Sequence, residues 1–298
     1  MADKFTFAQY KAQYPDDDAC LAAILERRYG KADACPQCGV VGKLTKIAGR
    51  RAYACKEGCH TYPCAGTIFE HSSTPLSLWF HAMYLMTATR NGVSAKELQR
   101  QLGVTYKCAW RIGHQLRILM NERAKQQQGG PLSGHVEVDE TFIGGKKHRS
   151  KAYRHGDKDD KAIVFGMAQR GGALIGQVVP STGTMRLIPP IMENVAPGTT
   201  ISSDEWNVYK RYLPQLGYKH LYVTHSADEF VRGECHTNTL EGFWSHLKRG
   251  IKSTHVAVSK QHLQKYVDEF AFRFNNRDNP ADMFRRLVAQ VSRADSSS

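Results

Sequence analysis

The sequence has no run that approaches the roughly 18 consecutive apolar residues a membrane-spanning helix needs, so we expect no integral membrane protein. It also has no cationic leader followed by an apolar segment and a small-residue cleavage site, and we therefore expect a cytoplasmic protein. Internal repeats are absent, and the low-complexity segments are short. These absences leave the class of globular proteins.

Charge and composition predict a folded chain with a negatively charged partner. The 298 residues exceed what one hydrophobic core usually organises, and 41% of them are hydrophobic, so we expect roughly two folding units. Lys and Arg number 41 against 28 Asp and Glu, which gives a net charge of +13. This excess favours nucleic acid over an anionic membrane surface, although an ordinary basic enzyme can carry the same charge.

A Gln, Gly and Pro segment from Gln126 to Pro131 is typical of a linker. Helical periodicity precedes it, whereas strand-like and helix-like runs alternate after it, with a hairpin turn at Gly171 and Gly172. This order predicts an α/β domain with an antiparallel hairpin and later crossovers. The strands predicted are His135–Ile143, Ala162–Gln169, Ala173–Pro180, Thr199–Ser203 and His220–Thr224, and helices are predicted at Met185–Glu193 and Trp206–Leu213 and twice more near the C-terminus.

Crowded cysteines predict a metal site in the N-terminal part. Cys35 and Cys38 form one pair, and Cys55 and Cys59 form a second pair after 16 intervening residues. Because zinc needs about four such donors in a tetrahedron, we predict a zinc ribbon with these four cysteines as Zn²⁺ ligands and a structural role; free thiols in a small reduced core are the alternative. The second pair has an unusual spacing, and the residues that compete with Cys59 are His60 and Cys64.

A helix-turn-helix is predicted after the cysteines. Ser94 and Glu97 have the spacing of a capping box, Gly103 suits the turn, and Thr105 can cap a second helix. An ordinary helical hairpin would show the same pattern, but the positive charge and the neighbouring ribbon favour DNA binding. The residues that the second helix would present to a DNA groove are Tyr106, Lys107, Arg111 and His114.

Three acidic residues give the most specific indication of a catalytic site. Asp139 lies on a predicted strand, Asp204 follows another, and Glu241 lies on a later helix beside an apolar stripe, with Lys248 two turns further on. Strand ends are where an α/β sheet exposes reactive groups, and carboxylates are the ligands that Mg²⁺ prefers. Two such ions support the phosphoryl displacement of nucleases and strand-transfer enzymes. Neighbouring acids that rank below these three as ligands are Glu137, Glu140 and Glu205.

These motifs together resemble the transposases of bacterial insertion sequences, in which a zinc ribbon and a helix-turn-helix precede an RNase H-like DDE domain. The resemblance covers most of the chain, and it rests on Cys35-Pro-Gln-Cys38, Ala65-Gly-Thr-Ile-Phe69, Val138-Asp-Glu-Thr-Phe-Ile-Gly-Gly145, Ser203-Asp-Glu-Trp206 and His236-Thr-Asn-Thr-Leu-Glu-Gly-Phe-Trp244 followed by Lys248. It implies an α/β fold with an RNase H-like mixed sheet and flanking helices, preceded by the zinc ribbon and helix-turn-helix. The segments expected are 1–30 helical, 31–70 zinc ribbon, 71–125 helix-turn-helix, 126–133 linker, 134–280 catalytic and 281–298 C-terminal tail.

The resemblance also implies a function and a site. It implies Mg²⁺ or Mn²⁺ at Asp139, Asp204 and Glu241, binding to terminal inverted repeats and target DNA, strand cleavage and strand transfer, and a homo-oligomer on DNA. Because some relatives use asparagine at the third position, Asn238 competes with Glu241. The DNA-binding residues expected are Lys107, Arg111, Lys146, Lys147, Lys248 and Arg249. A nuclease without strand transfer and a catalytically decayed DNA-binding regulator are the alternative functions.

Overall fold

The computed structural model describes residues 5–31, 33–121, 130–144, 161–224 and 231–291. The chain divides into two compact units, one formed by Met1–Leu119 with Asp278–Ser298 and the other by Met120–Arg277. None of the helices in these described ranges is long and apolar enough to cross a membrane.

The first unit combines helices with a small antiparallel sheet. Its helix starts follow local sequence signals: Thr6 and Gln9 form a capping box at the start of the first helix, and the Asp16 side chain accepts a bond from the Ala19 amide in the second. The elements are α1 Phe7–Gln13, α2 Asp17–Tyr29, β1 Thr45–Lys46, β2 Tyr53–Ala54, β3 His60–Thr61, α3 Leu76–Ala88, α4 Ala95–Leu102, α5 Tyr106–Asn121 and, from the far end of the chain, α10 Met283–Gln290.

Helix α10 is part of the core of this unit. We expected only a C-terminal tail from residue 281, but Phe284 is buried, with its ring centroid 5.7 Å from that of Tyr10 and 5.4 Å from that of Tyr14. The eight-residue helix is too short to show convincing periodicity in sequence, and its apolar face is stabilised by tertiary contacts with the aromatic rings.

The second unit is built around a five-stranded mixed sheet with the order β6-β5-β4-β7-β8. Strands β4, β5 and β6 pair antiparallel, whereas β7 runs parallel to β4 and β8 runs parallel to β7. The elements are β4 His135–Ile143, β5 Ala162–Gln169, β6 Leu174–Val179, α6 Thr184–Asn194, β7 Thr200–Ser203, α7 Asn207–Tyr212, β8 Lys219–Tyr222, α8 Asn238–Gly250 and α9 Lys260–Asn275.

Side chains that alternate along β4 and β5 supply a core on each face of this sheet. Val136 and Val138 pack with apolar residues of α6 and α7, while Val164 packs on the other face with α8 and α9. A mixed sheet covered on both faces by helices confirms the prediction of an RNase H-like α/β fold.

Candidate active site and DNA-binding elements

Strand register brings the first two predicted carboxylates together. Val136 pairs with Ile201 and Glu137 with Ser202 across the parallel β4–β7 pair, so the same register sets Asp139 beside Asp204, just beyond the end of β7. A third carboxylate joins them from the adjacent position, Glu140. One oxygen from each of the three lies within 4.8 Å of the others.

A hydrogen bond from the protein fixes one oxygen of each carboxylate. Trp244 Nε1 on α8 donates to Asp139 Oδ2 at 2.9 Å, and the Trp206 amide donates to Asp204 Oδ1 at 3.0 Å. The Tyr209 hydroxyl on α7 donates to Glu140 Oε1. The donors come from both faces of the sheet, because Asp139 and Glu140 are neighbours on a strand and point to opposite sides.

Electrostatics in this group favour a bound cation. Burial raises the pKa of Asp139 to about 6, and the negative charges of Asp204 and Glu241 add to the rise. Burial likewise raises the pKa of Glu140 to about 7, again with a contribution from its acidic neighbours. A divalent cation would relieve both the burial cost and the repulsion, and carboxylate oxygens are the donors that Mg²⁺ and Mn²⁺ prefer.

Glu241 lies close to this group but outside it. Its side chain is exposed on α8, and its Oε1 accepts a bond from Thr237 Oγ1 at 3.1 Å. Its charge is near enough to raise the pKa of Asp139. The competing residue Asn238 is exposed at the first position of the same helix. The choice between Glu241 and Asn238 stays a prediction.

The predicted zinc ligands also converge. The four Sγ atoms of Cys35, Cys38, Cys55 and Cys59 lie within 4.8 Å of one another, and neither His60 nor Cys64 belongs to this group. Backbone amides of Cys38 and Gln37 that point at the sulfur lower the pKa of Cys35 to about 7, which favours the thiolate that binds metal. Four thiols at this spacing match the donor set of a structural zinc site.

Local geometry supports the predicted helix-turn-helix. Ser94 Oγ accepts a bond from the Glu97 amide at 3.1 Å, Gly103 at the end of α4 has a φ of 65°, and Thr105 Oγ1 accepts a bond from the Cys108 amide at 3.3 Å in α5. One detail differs from a full capping box, since the Glu97 carboxylate bonds to the side chains downstream of it in α4 instead of reaching back.

Helix α5 presents a mixed basic and aromatic face. Lys107 and Arg111 are exposed, as are the rings of Tyr106 and Trp110, at 44% and 39%. The prediction that His114 joins this face was wrong. His114 is only 4% exposed, and its ring centroid lies 3.8 Å from that of Trp110.

Comparison with known proteins agrees with this geometry. Residues 131–275 match the ISXO2-like transposase domain, and residues 15–62 match the transposase zinc-ribbon domain. A transposase-like protein of Haemophilus influenzae is 30% identical over 101 residues, which are 34% of this chain and 80% of that protein. The chain belongs to the ISXO2-like transposase family.

Two further matches extend the comparison. A protein in the transposable element ISH50 of Halobacterium salinarum is 28% identical to this transposase over 268 residues, which are 84% of this chain and 88% of that protein. The crystal structure of the Mos1 strand transfer complex aligns with 74% of this chain and 78% of its own chain, at 11% identity and a TM-score of 0.30, a similarity too low to carry an argument.

Not every predicted DNA contact of the transposase falls on described residues. Lys248 and Arg249 are exposed on α8, whereas Lys146 and Lys147 lie outside the described ranges. Sequence reasoning ranked Glu140 below the other acids because strand alternation turns it away from Asp139. Its position next to Asp139 was the signal that could have identified it, since β4 extends past the end of β7 there and ligands from both faces can meet.

Proposed function

We propose that this insertion-sequence transposase binds the terminal inverted repeats of its element and, with Mg²⁺ or Mn²⁺, cleaves the DNA and joins the exposed end to target DNA. The observation that carries this proposal is the group formed by Asp139, Glu140 and Asp204, whose oxygens lie within 4.8 Å of one another. Following the family resemblance, we propose that it works as a homo-oligomer on DNA.

The carboxylates are proposed to hold the cations. Asp139, Glu140 and Asp204 would share them, and Glu241 would complete the set, because two divalent ions need more acidic ligands than one. When bound there, two such ions would supply Lewis-acid activation of the attacking oxygen and stabilisation of the leaving oxygen. Water is the attacking molecule in cleavage, and the 3′ hydroxyl of the element takes its place in strand transfer.

Other residues are proposed to place the DNA. Lys248 is exposed on α8 seven residues after Glu241, a rise of roughly 10 Å, and Arg249 is its exposed neighbour. Both can contact phosphates on either side of the cleaved bond. Lys107 and Arg111 on α5 would bind the element end, and the four thiolates would hold Zn²⁺ as a closed structural site.

One reaction tests the function. The transposase is incubated with Mg²⁺, a labelled DNA carrying the terminal repeat that flanks its gene, and a supercoiled plasmid. Joined products support the proposal, cuts without joining indicate a nuclease, and shifted but intact DNA indicates a DNA-binding regulator.

We expect Asp139→Asn to lower the joining rate by about a thousandfold, since a cation contributes several kcal/mol and each 1.36 kcal/mol is tenfold in rate. The matched control is Glu193→Gln, which neutralises an exposed carboxylate on α6 and should leave joining unchanged. Full activity of Asp139→Asn would overturn the assignment of the cation site.

A further inference from the structure

Helix α8 is capped by a carboxylate from another element. The residue that precedes the helix, Thr237, makes no capping bond of its own. Instead, Glu137 Oε2 on β4 accepts from the Thr239 amide at 2.8 Å and from the Leu240 amide at 3.3 Å. These amides belong to the first turn, where an anion is stabilised by the unpaired backbone donors and the helix dipole.

Glu137 is saturated by these and other donors. Its second oxygen, Oε1, accepts from Thr239 Oγ1 at 2.9 Å and from Arg170 Nε at 3.1 Å, and the side chain is 0% exposed. A fully buried carboxylate with this many donors has few lone pairs left to bind a cation, so its role is to hold the helix against the sheet. Glu137 therefore fixes where α8 begins relative to β4.

The next turns of α8 reach the carboxylate group. Glu137 and Asp139 lie on the same face of β4, and Trp244 lies five residues beyond Thr239 on the helix, where its Nε1 donates to Asp139 Oδ2 at 2.9 Å. Helix α8 and strand β4 are thus joined at two points, one at the helix N-terminus and one at Asp139.

The indole needs a residue without a side chain beneath it. Gly166 of β5 is the direct partner of Asp139 in the sheet. A Cβ at Gly166 would lie 2.6 Å from Trp244 Cζ2 and 2.7 Å from Leu240 Cδ2, closer than real Cβ contacts allow. Glycine at this position therefore lets the ring approach the sheet closely enough for its N–H to reach the neighbouring carboxylate.

We propose that Trp244 is a positioning residue for Asp139, seated on Gly166 and held in register by the capping of α8 by Glu137. The indole N–H holds one carboxylate oxygen and leaves the other for a divalent cation. This inference rests on the proposed function, in which Asp139 binds that cation. Partners that orient a metal ligand typically contribute 10–100-fold to metal affinity.

Trp244→Phe tests the role, because it removes the N–H donor and keeps an aromatic ring. The measurement is Mn²⁺ binding to the full-length protein without DNA, with free Mn²⁺ read by electron paramagnetic resonance. We expect the dissociation constant to rise at least tenfold while the melting temperature shows a folded protein. The matched control is Trp79→Phe, which loses an equivalent buried indole bond, from Nε1 to Ser72 Oγ at 3.2 Å, and should bind Mn²⁺ normally.

The outcomes separate this inference from the proposed function. If Asp139→Asn weakens Mn²⁺ binding but Trp244→Phe leaves it unchanged, the positioning role is overturned and the cation site stands. If Asp139→Asn itself binds Mn²⁺ as the natural protein does, the cation site is overturned and the positioning role with it.

Two further variants test how the ring is held. Gly166→Ala pushes the indole off the sheet and should weaken Mn²⁺ binding even though both residues of the hydrogen bond are intact. Glu137→Gln should also weaken it, and the effect should vanish when Trp244 is already Phe, since the cap acts through the indole. Additive effects in the double variant would overturn the link between Glu137 and Trp244.

Discussion

The two groups of metal-binding side chains differ in how the fold assembles them. The four cysteines span 25 residues, from Cys35 to Cys59, and each pair lies in a tight turn, of which the second joins two strands of the small sheet. The carboxylates of Asp139, Glu140 and Asp204 come from two strands separated by a hairpin and a helical crossover. Local chain geometry is enough for the first group, whereas the second exists only when the sheet has formed.

They differ also in what surrounds the ligands. In the cysteine group all four donors come from the protein, so a bound ion would have no open position for substrate. In the carboxylate group each side chain has one oxygen held by a protein donor and another not fixed by these bonds, an arrangement suited to a cation that also binds phosphate and water. The first is suited to stability and the second to chemistry.

Loss of one thiol from the cysteine group should have the largest effect on zinc content and folding. We expect Cys59→Ser to lower zinc from about one ion per chain to near zero and to unfold the ribbon, since zinc binding and folding of such sites are one equilibrium. Zinc content is measured by elemental analysis and folding by thermal denaturation.

Cys64→Ser is the matched control, because Cys64 is buried but lies outside the group of four. It should keep its zinc. If Cys59→Ser kept its zinc and Cys64→Ser lost it, the fourth zinc ligand would be Cys64 and not Cys59.

On the carboxylate side, Glu140→Gln should weaken Mn²⁺ binding by roughly 10–100-fold or more, because it removes a ligand and not merely an outer partner. Glu241→Gln should weaken binding less, since Glu241 lies outside the group of three. Both are measured in the protein without DNA. A larger loss of Mn²⁺ affinity in Glu241→Gln than in Glu140→Gln would reverse this ranking. The ligands would then be the three expected from sequence, Asp139, Asp204 and Glu241.

Proton competition should distinguish the carboxylates further. With the pKa of Asp139 raised to about 6 and that of Glu140 to about 7, both side chains gain protons as the pH falls from 8 to 6. Metal needs both deprotonated forms, so Mn²⁺ affinity should fall by about twentyfold over this range. Titrations at three pH values measure it, and in Glu140→Gln the dependence should shrink and shift toward pH 6. A flat profile in the natural protein would contradict these pKa shifts.

The smallest effects should come from the exposed face of α5. Lys107→Ala and Arg111→Ala should each weaken binding to the element end several-fold and reduce the slope of log affinity against log salt by about one, as expected for a lost phosphate contact. Filter binding at several salt concentrations measures both. Lys11→Ala on α1 is the matched exposed control and should retain the slope; equal losses in all three would indicate only a general charge effect.

Much of the fold follows from sequence patterns. The alternation of His135–Ile143 predicts β4, and the strand-like run Ala162–Gln169 predicts β5, both with the bounds that the structure gives them. The apolar stripe of α8, including Leu240, Phe243 and Trp244, is buried as predicted. Strong periodicity is reliable here because each side chain either enters a core or meets solvent.

The errors share one cause. His114 and the expected tail were misjudged because a helical pattern does not reveal which of its polar or apolar faces another element will cover. The approach of Glu140 to Asp139 and Asp204 does not follow from alternation along β4, because it depends on donors that reach the sheet from opposite faces, Trp244 on α8 and Tyr209 on α7.

The sequence by itself determined the local features of this transposase: the spacing of the cysteines, the turns and caps of the helix-turn-helix, and the strands and helices of the second unit. Each depends on residues a few positions apart, where backbone geometry restricts the outcome. Only the tertiary structure decided which acids meet and what orients them. The parallel register of β4 and β7, the cap that Glu137 gives α8, and the space above Gly166 are contacts between distant segments. No local pattern encodes them, because they depend on how whole elements pack.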